Sequence, residues 1–129
     1  MATSPASFAT RASLRRRLDH VGIALAGFCA VHCLATLLIV SALGLGSHFL
    51  LAESIHRTGL VLAVIVATAA IGWGFMRHRL VAPLAIAGSG IALMAGALTV
   101  EHGAAELWLT LAGVVLVSAG HVLNLRAAR

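Results

Sequence analysis

Two cysteines and one histidine lie within five positions, in the segment Cys29-Ala30-Val31-His32-Cys33 of the first long apolar stretch. On a helix, residues four apart share a face, so Cys29 and Cys33 point the same way, with His32 about 60° off that line. Their Cβ atoms are then about 5–6 Å apart, a gap that two metal–thiolate bonds of about 2.3 Å can span. Thiolates select soft or borderline ions such as Cu(I) and Zn(II), and the same softness favours Hg(II). The motif predicts a soft-metal site with Cys29 and Cys33 as main ligands and His32 as a third.

This cluster also has plainer interpretations. Cysteine packs well as a small apolar residue, and a histidine in a membrane helix can be satisfied by a hydrogen bond to a partner helix. A disulfide between Cys29 and Cys33 is a further alternative, although its geometry suits two residues one helical turn apart poorly. Three donors together on one face favour metal binding over these alternatives.

A second polar stripe lies near the end of the chain, where His121 and Asn124 continue a row of small and apolar residues at helical spacing. Asp19 and His20 lie at the same end of the molecule if the first and last helices are neighbours. These groups then form a candidate second metal station, with His121 as a tentative metal ligand. The alternative is that His121 and Asn124 only hydrogen-bond between helices. The polar groups at the opposite end are interpreted as solvated loop residues, with collection of a cation before entry as the alternative: His48, Glu53, His56, His102 and Glu106.

Neither catalysis nor nucleic-acid binding is indicated. The sequence has no Ser/His/Asp set, no glycine-rich phosphate loop and no HExxH motif, so we expect no enzyme activity and no cofactor other than a carried metal ion. The net charge of +5 comes from arginines alone. They lie in short clusters between apolar runs and not on a basic face with interleaved aromatics, which argues against a nucleic-acid partner.

The elements that position these residues are predicted to be membrane-spanning helices. The 129-residue chain is 60% hydrophobic and 10% charged, whereas a soluble domain has roughly 45–50% apolar and about 25% charged residues. Four apolar stretches approach the roughly 20 residues that cross a bilayer as a helix: 19–45, 58–76, 80–100 and 104–125. Their short connectors favour antiparallel neighbours. We therefore predict an all-α integral membrane protein, built as an antiparallel four-helix bundle.

The arginines predict how this bundle is oriented. Most lie in the N-terminal tail, between the second and third helices, and at the C-terminus, whereas only Arg57 lies on the other side. By the positive-inside rule, both termini are cytoplasmic. Residues 1–17 form a polar basic tail, interpreted as an anchor beside the first helix, with a transit peptide as the alternative. Residues 18–126 form the transmembrane domain.

Two of the predicted helices carry stripes of small residues, which let membrane helices approach closely. The stripe of the second helix is Ala63, Ala67, Ala70 and Gly74, and that of the third is Ala85, Gly88, Ala92, Gly96 and Thr99. Both are interpreted as packing surfaces. Gly88 and Ala92 equally fit a dimer face, so a homo-oligomer is an open alternative.

The segment LDHVGIALAGFCAVHC, residues 18–33, resembles the start of the MerC family of mercury transport proteins. The matching motifs are Asp19-x-x-Gly22, Cys29-x-x-His32-Cys33 and, at the end of the chain, His121-x-x-Asn124. The resemblance covers roughly residues 18–126 and implies that Cys29 and Cys33 are an intramembrane thiol pair. Mercury-resistance members also carry a cysteine pair near the cytoplasmic C-terminus, which this chain lacks. That difference leaves room for a relative that handles another metal, such as zinc.

The resemblance implies a transporter of the bacterial inner membrane that moves Hg(II) from the periplasmic side into the cytoplasm by thiolate ligand exchange. Its expected partners are the lipid bilayer, the heavy-metal ion and a cytoplasmic metal acceptor or reductase. One alternative is a transporter or binding accessory protein for zinc or another soft divalent metal. The other is a structural membrane bundle that binds no metal.

Overall fold

The computed structural model describes residues 5–43, 53–101 and 103–128, and most of them are helical. The helices are α1 (Pro5–Leu43), α2 (Glu53–Ala67), α3 (Trp73–His78), α4 (Val81–Ala97) and α5 (Ala104–Ala127). A π-helical turn, Thr68–Gly72, joins α2 to α3 with helical backbone on both sides. These three segments form one rod, so the described ranges contain four helical rods and no strand.

The rods have the length and composition of a membrane bundle. Among the described residues, three stretches are long and apolar enough to cross a bilayer: Ala9–Ile39, Ser54–His78 and Ala104–Ala127. The fourth rod, α4, is an apolar helix of 17 residues. At 1.5 Å per residue it is about 26 Å long, close to the roughly 30 Å of a hydrocarbon core. The predicted all-α membrane bundle is confirmed.

Three helix ends differ most from the sequence-based bounds, and one of them is the start of α2 at Glu53 and not near residue 58. α1 begins at Pro5 and not near residue 19, because alanine and arginine in the tail are strong helix formers and lengthening an existing helix costs little. α4 ends at Ala97, earlier than predicted. The Thr99 hydroxyl donates there to the Gly96 carbonyl at 2.7 Å, in competition with the helical ladder.

The first and last helices are neighbours, as a second metal station requires. α1 contacts both the α2 rod and α5. The centre of the bundle is a buried cluster to which three helices contribute, formed by Ala26, Met94, Val114 and Val117. The polar stripe of α5 is therefore placed against α1 and not against lipid.

The packing role predicted for the two small-residue stripes holds for one helix and not for the other. The stripe on the α2 rod is buried from Ala63 to Gly74, so its predicted packing role is confirmed. The packing role predicted for the α4 stripe is wrong, because Gly88 and Ala92 are exposed. The buried face of α4 is instead Pro83, Ala87, Gly90, Met94 and Ala97. Because α4 is apolar on every side, with small residues on more than one face, its sequence pattern cannot identify the packed face.

Glycines allow α4 and α5 to pack backbone to backbone. A Cβ atom on Gly90 would lie 2.6 Å from the Gly113 carbonyl oxygen, and one on Gly113 would lie 2.7 Å from the Gly90 carbonyl oxygen. Real Cβ atoms do not approach backbone atoms this closely. The antiparallel α4–α5 pair therefore depends on the absence of side chains at both positions.

Gly90→Ala is expected to lower the free energy of unfolding by about 1–3 kcal/mol, the usual cost of overpacking. Gly88→Ala is the matched control, since a Cβ atom there meets no atom within 4 Å and alanine favours the helix. Thermal unfolding in detergent, followed by circular dichroism, compares the two. Equal melting temperatures for both variants would contradict the close α4–α5 contact.

Candidate metal centre

The two cysteines of α1 line a common cavity. Cys29 and Cys33 are half-buried and form no disulfide. Together with His32 they line a cavity of about 350 Å³ between α1 and α2. The three donors named by the sequence motif therefore face one half-open cavity between α1 and α2.

His56 brings a second helix to this cavity. It lies on α2 with a side chain that is 16% exposed, and its Nε2 atom is 3.6 Å from the Cys33 sulfur. Its ring stands edge-on to that of His32, with the centroids 6.1 Å apart. The expectation that His56 is a solvated loop residue is wrong, because α2 begins at Glu53 and includes it.

Glu106 completes this end of the bundle. Its Oε1 atom lies 4.0 Å from His56 Nε2, and the residue is 8% exposed. The interpretation of Glu106 as a loop residue is wrong too, since it lies in the first turn of α5. His48 and His102 fall outside the described residues.

A signal for both missed residues exists in the sequence. His56 and Gly59 continue the buried row of Ala63 and Ala67 backwards at spacings of three and four. Glu106 likewise continues the α5 stripe, one turn before Thr110. Extending the second helix backwards by one turn would have placed His56 on its buried face, whereas Glu106 already lies within the predicted last helix and only its face was overlooked.

The donors surround the cavity and do not converge on a point. Within the described ranges, no three His, Cys, Asp or Glu side chains are close enough to hold one ion. Within the cavity, the Cys33 sulfur and His56 Nε2 lie 3.6 Å apart. Both thiols line the cavity, and donors must move before three of them can hold one ion.

A buried polar network lies at the other end of α1. The Asp19 carboxylate accepts hydrogen bonds from His121 Nδ1 at 2.8 Å and from Asn124 Nδ2 at 2.9 and 3.1 Å. All three residues are 0% exposed. Asn124 Nδ2 also reaches the carbonyl of Ala70 in the π-helical turn, at 3.2 Å. A buried carboxylate is costly unless it is hydrogen-bonded, and here both oxygens are.

His78 extends this network, a role that its place in the basic turn between helices did not suggest. Its Nδ1 atom accepts from the Leu80 amide at 3.2 Å, so Nε2 carries the proton and donates to Asn124 Oδ1 at 3.0 Å. This assignment turns the Asn124 amide nitrogen toward Asp19. His20, by contrast, is exposed and bonds to the Arg16 carbonyl. Of the expected second station, Asp19 and His121 meet and His20 does not join them.

His121 is oriented by Asp19 and presents its other nitrogen to the interior. Nδ1 donates to the carboxylate, so in the neutral ring Nε2 keeps a lone pair. Nε2 is buried and has no hydrogen-bond partner among the described residues. Metal-binding histidines commonly have this arrangement, with a carboxylate holding the ring from behind. The ring occupies space that a Cβ atom on Gly22 would fill.

A small internal cavity lies between the thiols of α1 and the buried polar network around Asp19. His121 and Cys29 both line a small internal cavity of about 10 Å³, together with Gly22, Ala26 and Ala63. Cys29 also lines the larger cavity. The thiol thus adjoins both spaces, and the larger side chains of Leu25, Met94, Val114 and Val117 also line the smaller one.

The fold is that of a multi-pass helical membrane protein, and its interior donors are those that bind soft metal ions. Comparison with protein families identifies the family. Residues 19–126 match the model for the MerC mercury resistance protein family, so the chain belongs to that family and the resemblance seen in its motifs is confirmed. No curated protein and no solved structure gives a significant match.

Proposed function

We propose that this chain carries mercuric ion across the bacterial inner membrane into the cytoplasm, with Cys29 and Cys33 as the thiolates that hold it inside the bilayer. The main support is that both thiols line one cavity in a bundle belonging to a mercury resistance family. Hg(II) is satisfied by two soft ligands, so two cysteines one helical turn apart suffice. His32 assists from the same cavity.

The charge distribution supports an inward direction. Asp19, His78 and Asn124 meet at one end of the bundle, near the start of α1 and the ends of α3 and α5. That end holds most of the arginines: Arg11, Arg15, Arg16, Arg17, Arg77, Arg79 and Arg126. By the positive-inside rule it faces the cytoplasm. The ion then reaches the thiol cavity from the periplasmic side.

The small internal cavity that Cys29 and His121 both line supports an exit route for the ion toward His121. Ligand exchange replaces one thiolate at a time, and His121 Nε2 is the next donor toward the cytoplasm. The hydrogen bond to Asp19 keeps this nitrogen turned toward the interior. The second metal station therefore receives the ion on His121 Nε2. The sequence carries no nucleotide-binding motif. A cytoplasmic reductase or metal acceptor, by removing the ion, maintains the gradient that drives uptake.

Reconstituted uptake tests the proposal. Purified protein in liposomes that enclose a dithiol trap is expected to accumulate external Hg(II) in the lumen, well above protein-free liposomes. A parallel series with Zn(II) tests the alternative cargo. Mercury that binds the protein without reaching the lumen would identify a binding accessory protein instead. Lumenal Zn(II) equal to lumenal Hg(II) would overturn mercury as the preferred ion.

A further inference from the structure

We propose that His56 is a metal ligand supplied by α2, which makes the thiol cavity a mixed sulfur–nitrogen site between two helices. This inference rests on the proposed function and deepens it by adding a ligand that favours tetrahedral ions. Hg(II) needs only the two thiolates of α1, whereas Zn(II) usually takes four ligands of the Cys and His type. The two cysteines with His32 and His56 supply such a set.

The distance between His56 and Cys33 matches the separation of two ligands that share one metal ion. In a tetrahedral site, a metal–sulfur bond of about 2.3 Å and a metal–nitrogen bond of about 2.05 Å place the two ligand atoms about 3.6 Å apart. Cys33 Sγ and His56 Nε2 are 3.6 Å apart. These two donors therefore already stand at the separation that one shared ion requires.

The surroundings of His56 point to a ligand as well. The ring faces the Cys33 sulfur with Nε2, and its other nitrogen, Nδ1, is buried without a hydrogen-bond partner among the described residues. The Glu106 carboxylate, 4.0 Å from Nε2, adds negative charge that attracts a cation. The nitrogen that faces the Cys33 sulfur therefore also faces a carboxylate.

Cys29 and His32 are the donors that must move to complete this site. Both line the cavity that holds Cys33 and His56, and no three donors meet at a point in the described ranges. Side-chain rotation on α1 brings them toward the Cys33–His56 pair. Ion binding then links α1 to α2, which binding to α1 alone does not do.

Metal titration of the full-length protein in detergent tests the role of His56. Zn(II) affinity is measured by competition with a chelating dye, and Co(II) absorption reports tetrahedral sulfur–nitrogen ligation. His56→Ala is expected to weaken Zn(II) binding at least about tenfold, or roughly 1.4 kcal/mol, and to reduce the Co(II) bands. Its Hg(II) affinity should change less than about threefold, because both thiolates remain. His20→Ala is the matched control, since His20 is exposed and hydrogen-bonds to Arg16 of its own helix.

The outcomes separate this inference from the proposed function. Parent-like Zn(II) and Co(II) binding by His56→Ala, with binding lost in Cys33→Ser, rejects His56 as a ligand and leaves the thiol site intact. Unchanged binding in both variants rejects the thiol site too. His56→Cys is the second variant, for the case in which the alanine variant does not fold. It places a thiol donor at the same position. It should therefore regain Zn(II) affinity and show stronger thiolate–Co(II) charge-transfer absorption. A folded His56→Cys protein without that gain overturns the proposal.

Discussion

Serine in place of either Cys29 or Cys33 is expected to reduce mercuric-ion uptake at least about 100-fold, or roughly 2.7 kcal/mol of lost binding to the ion. A hydroxyl is nearly the size of a thiol, but its oxygen is hard and stays protonated, so it cannot replace a soft thiolate. One remaining thiolate leaves Hg(II) with a single strong ligand. Both substitutions should therefore be equally harmful, and the double variant should be little worse than either.

The measurement is initial Hg(II) uptake into liposomes, with protein content matched between samples. Gly27→Ser is the control, because it adds a hydroxyl to α1 where a Cβ atom meets no neighbour within 4 Å. It should transport like the parent. Cysteine variants that keep parental uptake would favour the structural-bundle alternative and would remove the thiol pair from the mechanism.

Asp19→Asn is expected to destabilise the protein by roughly 2–4 kcal/mol and to slow uptake about 10- to 100-fold. The carboxylate accepts from both His121 and Asn124. An asparagine has one acceptor oxygen, and its NH₂ group would oppose one of these donors in a fully buried place. His121 then loses the group that orients its ring.

Denaturant unfolding and uptake are measured on the same Asp19→Asn preparation. Glu101→Gln is the matched control, since it neutralises an exposed acid and should change neither quantity. A destabilised Asp19→Asn protein that still transports at the parental rate would assign the network to folding alone. Unchanged stability would mean that the network is not formed as described.

The polar network shows which contacts helical periodicity in the sequence can predict and which it cannot. The spacing of His121 and Asn124 placed them on one face of the last helix, and their meeting with Asp19 followed once the first and last helices were neighbours. The link to His78 could not be predicted, because it depends on which turn of which rod lies opposite Asn124. Local spacing assigns a face to a residue but does not select its partner across 46 positions of chain.

His56 and Glu106 were missed for a different reason. Charged and polar residues near a predicted connector were assumed to be solvated, although both sit in the first turns of helices that begin close to them. In a membrane bundle the ends of helices also pack against one another. Polar residues on the buried side of a terminal turn are therefore candidate functional residues, like those in the middle of the span.

The π-helical turn at Thr68–Gly72 has a consequence for the whole second rod. Such a turn accommodates one residue more than an α-helical turn, so the phase of the rod changes at this point. Side chains beyond Gly72 are rotated relative to an unbroken α-helix, and His78 meets Asn124 in this shifted phase. Deleting one residue from the turn would restore a uniform α-helix and leave His78 in phase with Asn124, whereas an unbroken α-helix of the present length would swing His78 away from the polar network. The extra residue is thus taken up within the turn, and the position of His78 depends on the π-helical turn and not on the number of residues alone.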